Sequence, residues 1–205
     1  MSAEKEFFDQ IASDWDNRCK PDAEKIRFFL SKLKIKRCDR ILDIGTGTGV
    51  LIPFIREKSI CSHITGIDYS EKMLNIARQK FQGKRNLSFQ LLDIETDEIS
   101  EKFHHIILYS TFPHLQKKTE TIKKLMEKNL FPGGNILIAH AQGRRHLNLI
   151  HSQKGIEMPN THLIAVNKQA ELFKNVSLNV VEADENDQYY YLLLQKQKKY
   201  SRALA

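Results

Sequence analysis

Arg40-Ile41-Leu42-Asp43-Ile44-Gly45-Thr46-Gly47-Thr48-Gly49-Val50 decides the fold. The first five residues form a short, mostly apolar run of strand length, and the run opens directly into three glycines at alternate positions. From Val50 the pattern turns helical and stays so to position 58. Glycine is needed where the chain must pass close to a ligand, because a Cβ would block the approach, and where a turn requires φ > 0. A helix that starts beside such a turn aims its free N-terminal amides at the ligand. Glycine triplets also occur in ordinary turns. What gives this one weight is its setting, with a strand before it, a helix after it and an acid, Asp43, just ahead of the loop.

The same alternation continues outward from this loop. Strands are expected at 40–44, 63–68, 87–92, 104–109 and 135–140, the last entered through Pro132-Gly133-Gly134. Helices are expected at 50–58, 71–80 with Ser70 as N-cap, and 117–130. Upstream, positions 23–33 carry apolar Ile26, Phe29, Leu30 and Leu33 on one helical face. Downstream come a polar stretch at 141–160, a helix at 168–174 and two strands at 177–182 and 188–195. The turn-rich Asp184-Glu185-Asn186-Asp187 suits an antiparallel hairpin between those strands. The expected fold class is α/β: a seven-stranded Rossmann-like sheet, mostly parallel, with an antiparallel C-terminal hairpin and helices on both faces.

A chain of 205 residues with 41% hydrophobic and 28% charged residues fits one such domain, 1–205. No repeat or linker divides it. The longest apolar stretches fall well short of the ~20 residues that span a bilayer. Met1-Ser2-Ala3-Glu4-Lys5-Glu6 lacks the basic start and apolar core of a secretory signal, so a cytoplasmic location is the default expectation. Three cysteines, Cys19, Cys38 and Cys61, are odd in number and widely spaced; they read as reduced thiols rather than a disulfide framework or metal knuckle. The formal charge is +7, but the lysines are dispersed over helices and the tail at 196–199. That dispersal reads as a solvated surface and disfavours a nucleic-acid partner.

Asp68 ends the second expected strand, 25 positions past Asp43. A carboxylate there can accept both hydroxyls of a ribose; taken alone it could equally be an acid opening the helix behind Ser70. Asp43-Ile-Gly-Thr-Gly-Thr-Gly49 resembles the first motif of class I S-adenosylmethionine-dependent methyltransferases, and Gly66-Ile67-Asp68-Tyr69-Ser70 with Met73-Leu74 resembles their second. The dehydrogenase fingerprint would need a glycine where Val50 stands. Leu92-Asp93-Ile94, Phe103-His104-His105-Ile106-Ile107 and Leu130-Phe131-Pro132-Gly133-Gly134 resemble the family's later motifs, with His104 replacing the usual acid of the fourth-strand motif.

The resemblance implies S-adenosyl-L-methionine as cofactor and S-adenosyl-L-homocysteine as product. It places Asp43, Gly45, Thr46 and Gly47 around the methionine moiety and Asp68 on the ribose. Tyr69 and Met73 would lie against adenine, Asp93 and the backbone of Ile94 at its amine, and Tyr109 beside the cofactor. Met73 and Ile94 could equally be core residues. Phe8-Asp9-x-Ile11-Ala12-x-x-Trp15-Asp16 resembles the N-terminal lid of small-molecule methyltransferases such as the quinone-biosynthesis group, which would make 1–34 a lid; a core-packing helix is the other reading.

In an open α/β sheet, ligands gather beyond the C-terminal strand ends. Acceptor-side candidates therefore follow Tyr109 and His140. They are Trp15 from the lid, Phe112, His114, His140, Arg144 and His151, the last two within a substrate-side insertion at 141–165. Four histidines, His114, His140, His146 and His151, occur in this region. One or two could act as general base, with His114 and His151 the candidates and Arg144 holding an anionic group. They could instead be structural, or bind a metal, although no HExxH or compact ligand spacing supports metal.

Neither an Asn/Asp-Pro-Pro-aromatic motif nor a Pro-Cys nucleophile is present, which favours a small organic acceptor over nucleic acid. An RNA methyltransferase and a non-catalytic cofactor-binding module are the competing expectations.

Overall fold

The computed structural model describes residues 3–153 and 162–198. One sheet of seven strands organises them: β1 (Arg40–Ile44), β2 (His63–Asp68), β3 (Leu87–Leu91), β4 (Phe103–Tyr109), β5 (Leu130–His140), β6 (Val180–Glu185) and β7 (Tyr190–Gln195). Their order across the sheet is β3-β2-β1-β4-β5-β7-β6. The first five strands run parallel, and β7 enters antiparallel between β5 and β6. The order reverses at β1 and β4, so the loops after these two strands diverge and leave a crevice at their C-terminal ends.

The period-two alternation of the strands creates two cores. Leu42, Ile44, Ile106, Leu108, Ile136, Ile138, Leu192 and Leu194 point to one face, and Ile41, Ile107, Leu137, Tyr191 and Leu193 to the other. Helix α3 (Ala23–Ser31) and helix α4 (Ile52–Lys58) close the second face with Ile26, Phe29, Leu30, Ile52 and Ile55. Helix α6 (Lys118–Lys124) and helix α8 (Val166–Asn175) supply Ile122, Ala170 and Phe173 to the first. Helix α5 (Glu71–Lys80) starts where Ser70 Oγ accepts the Met73 amide at 3.2 Å, the cap expected from sequence.

Several boundaries differ from the sequence reading. In the hairpin, β6 runs Val180–Glu185 rather than 177–182, so Asp184 and Glu185 belong to the strand and the turn falls at Asn186. The Asn186 amide donates to the Tyr189 carbonyl at 3.0 Å, and its Oδ1 accepts the Gln188 and Tyr189 amides. β5 begins at Leu130 rather than after the Pro132-Gly133-Gly134 turn, and its register against β4 shifts between Phe103 and His105. The Gly133 amide donates to the Lys196 carbonyl and the Lys196 amide to the Gly134 carbonyl, both at 2.9 Å. The three residues thus form a bulge that stays hydrogen-bonded, with Gly133 supplying φ +82°. The helix expected at 117–130 is α-helical only through Lys124 and finishes as a wider π turn, Leu125–Asn129. Asn129 Nδ2 ties that turn to the carbonyls of Ile99 at 2.7 Å and Glu101 at 3.1 Å.

The N-terminal segment forms α1 (Ala3–Ile11), a short turn at Ala12–Asp14 and α2 (Trp15–Arg18). Helix α7 (Arg144–Gln153) lies in the expected insertion, of which residues 154–161 lie outside the described residues. Among the described residues no helix is long and apolar enough to cross a membrane.

Candidate active site

The crevice beyond β1 and β4 is a cavity of about 660 Å³. Gly45, Thr46, Gly47, Asp68, Tyr69 and Met73 line one part; Trp15, Tyr109, His114 and His140 line another, together with Phe7, Phe8, Leu147 and Ile150. Its size suits a drug-sized ligand with room for a small second molecule.

The glycine loop is shaped for close approach. Gly45 has φ +66°, and a Cβ there would fall 2.3 Å from Thr111 Oγ1, which itself donates to the Ile44 and Tyr109 carbonyls at 3.0 and 3.1 Å. At Gly47, φ +54°, a Cβ would meet nothing closer than Trp15 Nε1 at 4.0 Å. The missing side chain there leaves room for a ligand beside the loop backbone.

Asp68 ties the loop after β1 to the loop after β2. Its Oδ2 accepts the Gly47 amide at 2.9 Å and its Oδ1 the Ser70 amide at 2.8 Å. Burial raises the Asp68 pKa, while the amides of Ser70, Gly47 and Tyr69 pull it back. Asp43 is fully buried and accepts Thr46 Oγ1 at 2.7 Å. Burial pushes its carboxyl up to about 7, partly offset by Thr46 and reinforced by repulsion from Asp68.

Tyr69 Oη is buried with no hydrogen-bond partner among the described residues, although Tyr69 lines the cavity. A buried polar atom in that state is costly unless a ligand or water completes it. The orphaned phenol, the open space at Gly47 and the acid at Asp68 together fit an adenosyl ligand that carries a ribose diol and polar ring edges.

The N-terminal helices roof this site. Phe8 lies edge-on to Trp15 at 5.6 Å, to Tyr69 at 6.2 Å and to His114 at 5.4 Å between ring centroids. Three carboxylates anchor the roof. Asp16 accepts Thr48 Oγ1 at 2.6 Å and pairs with Lys80 at 2.7 Å, Asp9 accepts Ser70 Oγ at 2.6 Å, and Glu4 meets His114 Nδ1. Glu4 is buried. Nothing in its local sequence distinguishes it from an exposed helix acid, so only the fold shows its contact with His114.

Other candidates go elsewhere. Asp93 and Ile94 are not among the cavity-lining residues. The Asp93 carboxylate accepts the Glu95 amide at 2.9 Å within its own turn, and Ile94 packs in the core while its carbonyl takes Lys124 Nζ at 2.7 Å. Phe112 is fully buried against Phe173 at 6.1 Å. Arg144 forms an ion pair with Glu185 at 2.9 Å. His146 is exposed. His151 belongs to α7, and its side chain lies outside the described residues. His104 Nδ1 accepts the Arg40 amide at 2.9 Å, at the far end of the strands from the cavity. Among the described residues no three His, Cys, Asp or Glu side chains are grouped to hold a metal.

Comparison with known proteins agrees with this geometry. Residues 42–136 match a methyltransferase domain family. Phosphoethanolamine N-methyltransferase from Plasmodium falciparum is 30% identical over 182 residues, covering 86% of this chain and 67% of that protein. Malonyl-[acyl-carrier protein] O-methyltransferase from Acetivibrio thermocellus is 30% identical over 122 residues, 58% of this chain and 43% of that protein.

Among solved structures, a chain from the complex of the Haloferax volcanii Trm112 methyltransferase activator with a methyltransferase superposes with TM-score 0.77 at 18% identity. The match covers 93% of this chain and 97% of that one. Coclaurine N-methyltransferase bound to N-methylheliamine and S-adenosylhomocysteine gives 0.65 at 18% identity over 78% and 50%. The chain belongs to the class I S-adenosylmethionine-dependent methyltransferases. It spans between 35% and 67% of the length of the first five curated relatives.

Proposed function

We propose that this chain methylates a small organic acceptor with S-adenosylmethionine, releasing S-adenosylhomocysteine. One observation carries the reading: a single cavity is lined both by the glycine loop with Asp68 and by the Trp15, Tyr109, His114 and His140 side chains. Donor and acceptor can then share one enclosed space, where alignment supplies much of the rate.

The cofactor supplies a methyl group on a sulfonium, already activated for in-line displacement. Asp68 would hold the ribose, and the Gly45 to Gly47 backbone would accept the methionine end against the loop. Phe8 and Trp15 keep water from the site as parts of the roof. Where the acceptor carries a proton, His114 is the base this geometry favours. The contact of Glu4 with Nδ1 orients the imidazole and favours the tautomer whose proton sits on Nδ1.

Lys20 on the cavity wall suits an anionic acceptor, beside Arg18 and Lys25, which pair with Asp14 at 2.7 Å and Asp22 at 3.2 Å. The relatives' names point the same way, one to phosphoethanolamine and one to malonyl-[acyl-carrier protein].

Mass spectrometry of purified chain incubated with S-adenosylmethionine tests this, using a panel that starts with phosphoethanolamine and malonyl thioesters and extends to amines, phenols and RNA. Acceptor-dependent release of S-adenosylhomocysteine with a methylated small molecule is expected. Cofactor binding without turnover would instead mark a binding module. Methylated RNA with steep salt dependence would mark an RNA enzyme.

A further inference from the structure

The sequence scatters the three cysteines, yet the fold brings two of them together. Cys38 Sγ and Cys61 Sγ lie 3.1 Å apart across 23 positions of chain. Strand register is the cause. Arg40 of β1 pairs with His63 of β2, so the residues two positions ahead of each, Cys38 and Cys61, arrive at the same point where the two strands begin.

Both loops are held there. Arg56 donates to the Ile60 carbonyl at 2.6 Å and the Ser62 carbonyl at 2.7 Å, on either side of Cys61. Cys38 has φ +64°, a left-handed conformation uncommon for a residue with a Cβ. Both cysteines are free thiols; Cys38 is exposed and Cys61 partly so. A small oxidant in solvent therefore reaches the pair.

Their acidities differ usefully. The hydrogen bond from Cys38 lowers the Cys61 thiol to about 7, with Ser59 and Arg37 assisting. The same contact raises Cys38. Hydrogen bonding stabilises the Cys61 thiolate while the same contact holds the proton on Cys38, the arrangement that favours stepwise oxidation of a dithiol.

We propose that Cys38 and Cys61 form a peroxide-sensitive dithiol that closes to a disulfide joining the N-terminal ends of β1 and β2. The Cys61 thiolate attacks the O–O bond of a hydroperoxide. A sulfenic acid forms at Cys61, and the leaving oxygen takes a proton to become water or alcohol. Cys38, giving up its proton, then attacks the Cys61 sulfur and displaces the hydroxyl as water. Two electrons pass from the two thiols to one peroxide. The sulfurs need only close from 3.1 Å to the ~2.05 Å of a disulfide. The bond would sit at the opposite end of the strands from Gly45 and Asp68, outside the cavity.

Peroxide treatment of the reduced chain, followed by alkylation, intact mass measurement and non-reducing peptide mapping, tests the assignment. Expected is a monomer that has lost one pair of hydrogens, a cross-linked peptide joining Cys38 to Cys61, and Cys19 as the thiol still alkylated. Dithiothreitol should reverse the change. Cys38→Ser should stop at a dimedone-reactive sulfenic acid on Cys61, while Cys19→Ser should close the disulfide as the parent does. Cross-links between chains alone, equal oxidation of Cys19 and Cys61, or absence of the Cys38–Cys61 peptide would each overturn the proposal.

Discussion

The Gly47 amide donates to Asp68 Oδ2 at 2.9 Å, so the glycine loop after β1 is held by the acid that ends β2. With the Ser70 amide on Oδ1 at 2.8 Å, one carboxylate sets the spacing of two loops that line the cavity. Any ligand that uses Asp68 also depends on this spacing.

Asp68→Ala should therefore weaken cofactor binding more than loss of a single ligand contact would. It removes the proposed ribose acceptor and leaves two loop amides without partners, at about 1–3 kcal/mol each. Titration calorimetry with S-adenosylhomocysteine should show at least a ~10-fold rise in Kd, since ~1.4 kcal/mol is tenfold. Asp68→Asn keeps the shape and should fall between the two. Unchanged affinity in Asp68→Ala would remove the residue from the site.

Gly45→Ala should fail for a steric reason that a second substitution can relieve. The new Cβ would stand 2.3 Å from Thr111 Oγ1 and 2.6 Å from Thr111 Cγ2, at φ +66°. The backbone strain costs about 1–3 kcal/mol before the clash is counted. Thermal melting should show a clear loss, partly restored in Gly45→Ala with Thr111→Ala because both offending atoms are gone. Equal instability of the single and double variants would mean that φ alone is responsible.

β1, β2 and α5 have the same limits in sequence and structure, because strand alternation, the glycine loop and the Ser70 cap are all local signals. β5 was harder. Pro132-Gly133-Gly134 has the composition of a turn, and only pairing with Lys196, far along the chain, shows it to be a bulge. The cavity follows the same division. Gly45, Thr46, Gly47, Asp68, Tyr69 and Met73 sit on motifs and were legible, whereas Glu4 meets His114 across 110 positions. Phe112 and Arg144 stand beside the right strand ends but are taken up by Phe173 and Glu185, partners brought in by α8 and β6. A strand end locates the neighbourhood, while the direction of each side chain depends on distant elements.

Asp43 should make the ligand-free protein lose stability as pH rises through the mildly acidic range. Its carboxyl is held at about 7 in the fold, against an ordinary value of 3.8. Between those values the native state keeps a proton that the unfolded chain has released. Raising pH from about 4 to about 7 therefore favours unfolding, and above 7 this contribution is flat. Asp43→Asn stays neutral throughout and keeps an acceptor for Thr46. Denaturant unfolding should show its stability relative to the parent improving across this pH window. A constant difference between the two proteins would contradict the buried, proton-holding carboxyl.

The carboxylates of the roof should govern how fast the cofactor leaves. Asp9 and Asp16 bind Ser70 and Thr48, which belong to the two loops that Asp68 joins, so these contacts tie α1 and α2 down over the cavity. Partly exposed pairs contribute about 0.2–1 kcal/mol each. Asp9→Ala with Asp16→Ala should then accelerate S-adenosylhomocysteine dissociation by roughly 2- to 30-fold in stopped flow, the range that two such contacts allow. The core residues of β1, β4 and β5 make no contribution to this roof, so hydrogen exchange should quicken across residues 3–18 and stay slow in those strands. Dissociation and exchange both at parental rates would show that Phe8 and Trp15 hold the roof by packing alone.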